Sequence, residues 1–168
     1  MNSLTQSQAN FNPHAQPFTP CAAQAGDALR FPSRAMQTKL RNREKNVREK
    51  LLGREFLHIE GRPCSFTVKG GKDGNYILNC AEHLGELIPV GCGCPAVGEC
   101  GHRDAMERIL AFIRPDAALR SCSRADGVAC QYCGSPAIKI TSLVGPRGFL
   151  FDVVCVDRLF GKCFGRIL

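Results

Sequence analysis

The sequence has no tryptophan and only two tyrosines, so ten phenylalanines carry nearly all of its aromatic character. No apolar run approaches the roughly 18 residues of a membrane helix, and no integral membrane protein is expected. The N-terminus lacks a basic segment followed by an apolar one, so no secretion signal is expected either. A Gly-rich phosphate loop, an H-E-x-x-H helix and a G-x-S-x-G turn are all missing. No enzyme activity and no small-molecule substrate are expected. Cysteine, by contrast, is abundant: eleven in 168 residues, beside four histidines. An odd number leaves a thiol over in any all-disulfide scheme, and reduced cysteines at this density in an intracellular chain point to metal.

The chain divides by composition. Residues 1–33 form a polar leader with proline and glutamine and no apolar period, read as disordered. Residues 34–53 read as a basic amphipathic helix, capped by Ser33 and ended by Gly53. Met36, Leu40, Val47 and Leu51 make a thin apolar stripe, while Lys39, Arg41, Arg43, Lys45, Arg48 and Lys50 occupy the other faces. Nine basic residues stand against four acidic ones over residues 34–62. Such a helix is either a solvated face docked by its stripe or a surface for phosphates. Short strands are expected at 64–69 and 75–80 around a Gly-rich turn (70–74), with a further extended piece at 87–90. A helix is expected from about Arg103 to Ile113, stopped by Pro115.

Residues 91–102 read Gly-Cys92-Gly-Cys94-Pro-Ala-Val-Gly-Glu-Cys100-Gly-His102, a C-x-C-x5-C-x-H pattern leading straight into that helix. Zinc takes four thiolate or imidazole ligands in a tetrahedron, and Cys92, Cys94, Cys100 and His102 supply four. Gly93 is small enough for both sulfurs of the first pair to turn one way. The start of a helix supplies free N–H groups that favour thiolates.

This segment resembles the SWIM zinc-binding domain of bacterial proteins, chromatin remodellers and plant Mutator-like transposases. Bacterial members commonly carry an upstream phrase like Phe66-Thr-Val-Lys-Gly-Gly and Asn75-Tyr-Ile-Leu, which stands here too. The likeness covers about residues 47–113, roughly two-fifths of the chain. It implies two strands, a following helix (a ββα zinc finger over residues 54–115) and the same four ligands. The family often has lysine between its last cysteine and histidine, where this chain has Gly101. Cys64 and Cys80 read as small apolar packing groups, and His83 as a loop residue.

Residues 103–168 hold five more cysteines and no histidine. Cys130-Gln-Tyr-Cys133-Gly134 is a zinc-knuckle signature, followed by a hairpin (137–143 and 149–156) and then Cys155. A zinc ribbon repeats C-x2-C after its hairpin. Here position 158 is arginine, so Cys163 becomes the fourth candidate ligand after Cys130, Cys133 and Cys155, with Cys122 able to replace one of them. A redox dithiol at Cys130 and Cys133 competes, although such motifs precede a helix rather than a hairpin.

The expected fold class is therefore a pair of small α+β zinc-stabilised modules: a SWIM-type finger at 54–115 and a zinc-ribbon-like module at 116–168. Both sites look fully ligated, so each Zn2+ is structural, and metal binding should be coupled to folding. Thiolate ligation would bring the formal charge of +7 down to about +4. Residues 63–102 carry two basic and four acidic groups, and residues 103–168 ten and six. Nucleic acid, DNA or RNA, is the leading partner, met by the basic flanks rather than by the strand face around the metal. Phe149, Phe151, Phe160 and Phe164 offer only modest base stacking, and some must fill the hairpin core. A zinc-stabilised protein-interaction adaptor is the second reading. The bacterial-style upstream phrase points to a bacterial cytoplasm.

Overall fold

The first helix, α1, spans Arg34–Gly53 and contains no proline, with glycine only at its last position. Ser33 caps it, the hydroxyl accepting the Met36 N–H at 3.3 Å. The computed structural model describes residues 32–53, 56–69 and 74–165. Nearly all of the leader, Cys21 and most of the Gly-rich turn lie outside the described residues. Only the C-terminal half of the apolar stripe is used for docking: Val47 and Leu51 are buried, whereas Met36 and Leu40 are about half exposed.

After α1 come β1 (Phe56–His58), β2 (Ser65–Lys69), β3 (Asn75–His83) and β4 (Glu86–Cys92). Helix α2 (Gly101–Leu110) follows, then β5 (Ala117–Ala129), β6 (Pro136–Val144), β7 (Gly148–Cys155) and the one-turn helix α3 (Val156–Leu159). Among the described residues seven strands build a single sheet in the order β4-β3-β2-β1-β5-β6-β7, and every pairing between them is antiparallel. The β3–β4 hairpin turns through Leu84 and Gly85, both with positive φ (52° and 81°). A two-residue turn matched to the strand twist needs that conformation, and glycine adopts it without strain.

The strand order has one jump. The chain runs β1 to β4 outward to one edge, and α2 then returns it to the centre, where β5 lies against β1. Phe56 faces Cys122 and Leu57 faces Ser121 across that seam. Strands from both cysteine-rich stretches thus share one sheet, and the hairpin expected in residues 116–168 is three strands rather than two.

Alternation decides the two faces. Phe56, Phe66, Val68, Leu78, Leu119, Cys122, Ile138 and Ile140 point to one side. There they meet Val47 and Leu51 of α1, Met106 and Ile109 of α2, and Val156 and Leu159 of α3 in one continuous core. Each large apolar side chain removed from water here contributes about 1.5–3 kcal/mol.

Candidate metal centres

The first centre is assembled from a strand end, a loop and a helix start. Cys92 ends β4, and the Gly93 N–H donates to the Ile77 carbonyl at 2.9 Å, holding the loop against β3. Cys100 is the N-cap of α2 and His102 lies in its first turn. The four donor atoms of Cys92, Cys94, Cys100 and His102 lie within 4.8 Å of one another. Nδ1 is the imidazole atom that faces the sulfurs, 3.5 Å from Cys100 and 3.7 Å from Cys92. The Cys94 and Cys100 sulfurs are 3.1 Å apart. Tyr76, from the Asn-Tyr-Ile-Leu phrase, packs its ring 5.6 Å from the His102 ring and helps to fix its orientation.

The second centre joins two loops. Cys130, Cys133, Cys155 and Cys163 also bring their sulfurs within 4.8 Å of one another, with Cys130–Cys163 at 3.7 Å and Cys133–Cys155 at 3.4 Å. In the knuckle, the Gly134 N–H closes the turn on the Cys130 carbonyl at 2.7 Å, and its φ of 70° explains the glycine. The N–H groups aimed at the Cys130 sulfur come instead from Tyr132 and Cys133. The irregular second half of the motif has a physical cause. Cys155 is the N-cap of α3, and its sulfur receives the N–H groups of Arg158 and Asp157. The helix occupies the position where a regular ribbon would place its next cysteine, and Cys163 comes in after it. Cys122 takes no part, being buried in the core on β5; burial pushes its thiol up to about 12.

Both donor sets fit zinc. A tetrahedron with bonds of about 2.3 Å has edges of about 3.8 Å, against 3.1–3.7 Å for the closest donor pairs here. No pair approaches the ~2.05 Å of a disulfide, and all ten cysteines among the described residues are free thiols. Each set offers four ligands and can hold one ion.

The thiols are not alike. Burial pushes Cys92 up to about 12, and burial with the Cys133 thiol beside it pushes Cys155 up to about 12. The Tyr132 N–H, helped by the Cys133 N–H and the Cys163 thiol, outweighs burial and lowers Cys130 to about 7. Cys94 is also lowered: burial opposes ionisation, but the Cys100 thiol, the Ala96 N–H, the Cys92 thiol and the Lys50 charge prevail. Metal ligation expels the remaining thiol protons. Affinity should therefore rise with pH throughout, because Cys92 and Cys155 must always release one. Competition with a chromophoric chelator from about pH 6 to 8 measures this; an affinity independent of pH would contradict it.

Three basic residues of α1 are committed to the centres, which the sequence did not indicate. Arg43 pairs with Glu99 and, at 2.8 Å, with Asp104, on either side of Cys100 and His102. Arg48 pairs with Asp157 and donates to the Ser135 hydroxyl at 2.8 Å, beside Cys155 and Cys133. Lys50 directs its charge at Cys94. A fourth contact, Glu44 with Lys162, ties α1 to the residue before Cys163. Of the six basic residues read as a phosphate-binding surface, Arg43 and Arg48 are thus turned to carboxylates. Lys39, Arg41 and Lys45 remain exposed without an ion pair among the described residues. Gly101 has its own explanation: a Cβ there would sit 3.0 Å from the Asn46 Oδ1 and 3.5 Å from the Lys50 Cγ. A side chain there would require Asn46 to give way, and Lys50 brings a positive charge to the centre from another element.

Cys80 is buried on β3 with its thiol pushed up to about 12 by burial, while Cys64 is half-buried just before β2. His83 ends β3 on the surface. No protein-family model, curated protein or solved structure matches the chain. Fold and site together define a small α+β protein with an antiparallel sheet and two cysteine-rich clusters able to hold metal ions. Among the described residues no helix is long and apolar enough to cross a membrane.

Proposed function

We propose that this chain is a non-enzymatic zinc protein that acts as a nucleic-acid-binding accessory factor. In this reading a SWIM-type ββα finger and a zinc-ribbon-like module carry structural Zn2+, and basic flanks contact phosphates in a bacterial cytoplasm. Two donor sets of four protein ligands support the structural role, since a catalytic zinc keeps a position open for water or substrate. Thiolate ligation also requires the reduced cysteines of an intracellular setting. The observation that carries the nucleic-acid reading is that Lys39, Arg41 and Lys45 are exposed on α1 and outside any ion pair among the described residues.

A salt titration of metal-loaded protein against a DNA duplex tests it. Three phosphate contacts give a slope of log affinity against log salt of about −3, and replacing all three side chains by glutamine should remove most of it. No binding to DNA or RNA at low salt overturns the proposal. The adaptor reading then takes its place, favoured by Met36 and Leu40, which leave an apolar strip open on the same helix.

A further inference from the structure

Of the ten cysteines among the described residues, Cys133 is the one that is exposed. Its three companions at the second centre are buried, while at the first centre Cys92 and Cys94 are half-buried and Cys100 is buried. Cys133 lines an open cavity of about 610 Å³ together with Cys163, Tyr132 and Phe164. Tyr132 and Phe164 are 68% and 93% exposed, so solvent reaches the cavity past both rings. The buried Cys155 sulfur stands 3.4 Å from that of Cys133. Closing that gap to the ~2.05 Å of a disulfide takes about 1.4 Å of movement. The same sulfurs sit beside the seat of α1. Ser135 and Asp157, each two residues beyond one of the pair, both hold Arg48, and Lys162, next to Cys163, holds Glu44.

We propose that Cys133 is a site of oxidation by hydrogen peroxide, with Cys155 the sulfur that closes a disulfide on it, so that the second centre acts as a redox switch. The inference rests on the zinc reading above and adds to it a covalent modification that unloads the metal. Exposure and a second cysteine within reach are the features of an oxidation-sensitive site, and a metal-bound cysteine is already a thiolate. The Cys133 sulfur attacks one oxygen of the peroxide, the O–O bond breaks, and hydroxide leaves and takes up a proton to become water. The Cys155 sulfur then attacks the sulfenic acid so formed: the S–S bond forms, the S–O bond breaks, and a second hydroxide leaves and becomes water. Two thiolates, one peroxide and two protons thus give one disulfide and two waters, with two electrons passing from sulfur to oxygen. Two of the four charged ligands are lost, and the remaining two do not fill a zinc tetrahedron. The loops that hold Arg48 and Glu44 are then released, and α1 with them. The first centre sets distance against exposure. Its Cys94 and Cys100 sulfurs are closer, at 3.1 Å, but neither residue is exposed.

The test uses the full chain loaded with zinc, its metal content measured first, and hydrogen peroxide at about half an equivalent per chain. Remaining thiols are alkylated, and tandem mass spectrometry of the peptides reads which cysteines are linked. The Cys133–Cys155 link should form first, in at least about fivefold excess over any other oxidised cysteine. Metal release and loss of helical circular dichroism should grow with it, and dithiothreitol with added zinc should restore both. Cys133→His keeps four ligands without the exposed sulfur, and peroxide should release its metal at least about tenfold more slowly. Release at the parent's rate overturns the inference. Should that variant fail to hold metal, the mapping of the parent decides alone. A first link between Cys94 and Cys100, between Cys130 and Cys133, or between Cys64 and Cys80 overturns the inference and leaves the zinc reading standing. Oxidation spread evenly over the cysteines does the same. If dithiothreitol and zinc do not restore the parent, the reaction is damage and not a switch, and the inference falls. If the purified, reduced chain holds no metal at all, both readings fall.

Discussion

Removal of bound metal by a chelator should unfold the sheet and its helices in one transition, and not as two modules in turn. Structural zinc contributes about 10–16 kcal/mol per site in small zinc domains, as much as or more than the ~5–15 kcal/mol net stability of an ordinary domain. Neither centre is isolated from the other. Helix α1 is held at the first by Arg43 and at the second by Arg48, and the strands carrying both share a core. Losing the ligands at either end therefore releases a helix whose Val47 and Leu51 close the middle of that core. Far-UV circular dichroism and amide NMR during chelation check this. Signals from Phe66 on β2 and Ile140 on β6 should disappear together. Separate transitions for the two halves of the sheet would refute the single unit. Cys100→Ser and Cys163→Ser should each mimic the chelated protein, whereas Cys122→Ala should keep two metal equivalents with only a modest loss of stability.

Phe56→Ala should cost about 3–5 kcal/mol in the metal-loaded protein, the range for truncating a buried phenylalanine. Strand β1 is three residues long and lies between β2 and β5 in the sheet. Phe56 is fully buried, opposite Val68 on one neighbour and Cys122 on the other. Its loss leaves a cavity at the seam that a three-residue strand cannot close by shifting. Leu57, the next residue, points to the bare face, and Leu57→Ala should cost less than about 1 kcal/mol. Denaturant unfolding of the two variants separates them; equal losses would mean that the faces of β1 are not as described.

The first cluster was legible because its four ligands fall within eleven positions, and C-x-C-x5-C-x-H before an amphipathic pattern needs no long-range pairing to be read. Helix α1 was legible through its cap and stripe, and β2, β3, β6 and β7 through alternation near turn residues. Strand β5 was not. Its register slips between Leu119 and Ser121 and again between Ala125 and Ala129, which destroys the period of two. Strand β1 was too short to show any period.

By itself, then, the sequence determined which residues carry metal-binding chemistry and where the local elements form, because spacing and capping act over a few residues. Tertiary structure alone decided three other things. It joined the cysteine-rich stretches through Phe56 and Cys122, turned Arg43 and Arg48 from solvent to carboxylates, and left Phe149 and Phe151 outside the core. The reason is common to all three. Sheet order, ion pairing and the choice of which face is covered depend on contacts between residues far apart in the chain, and such contacts leave no periodic trace along it.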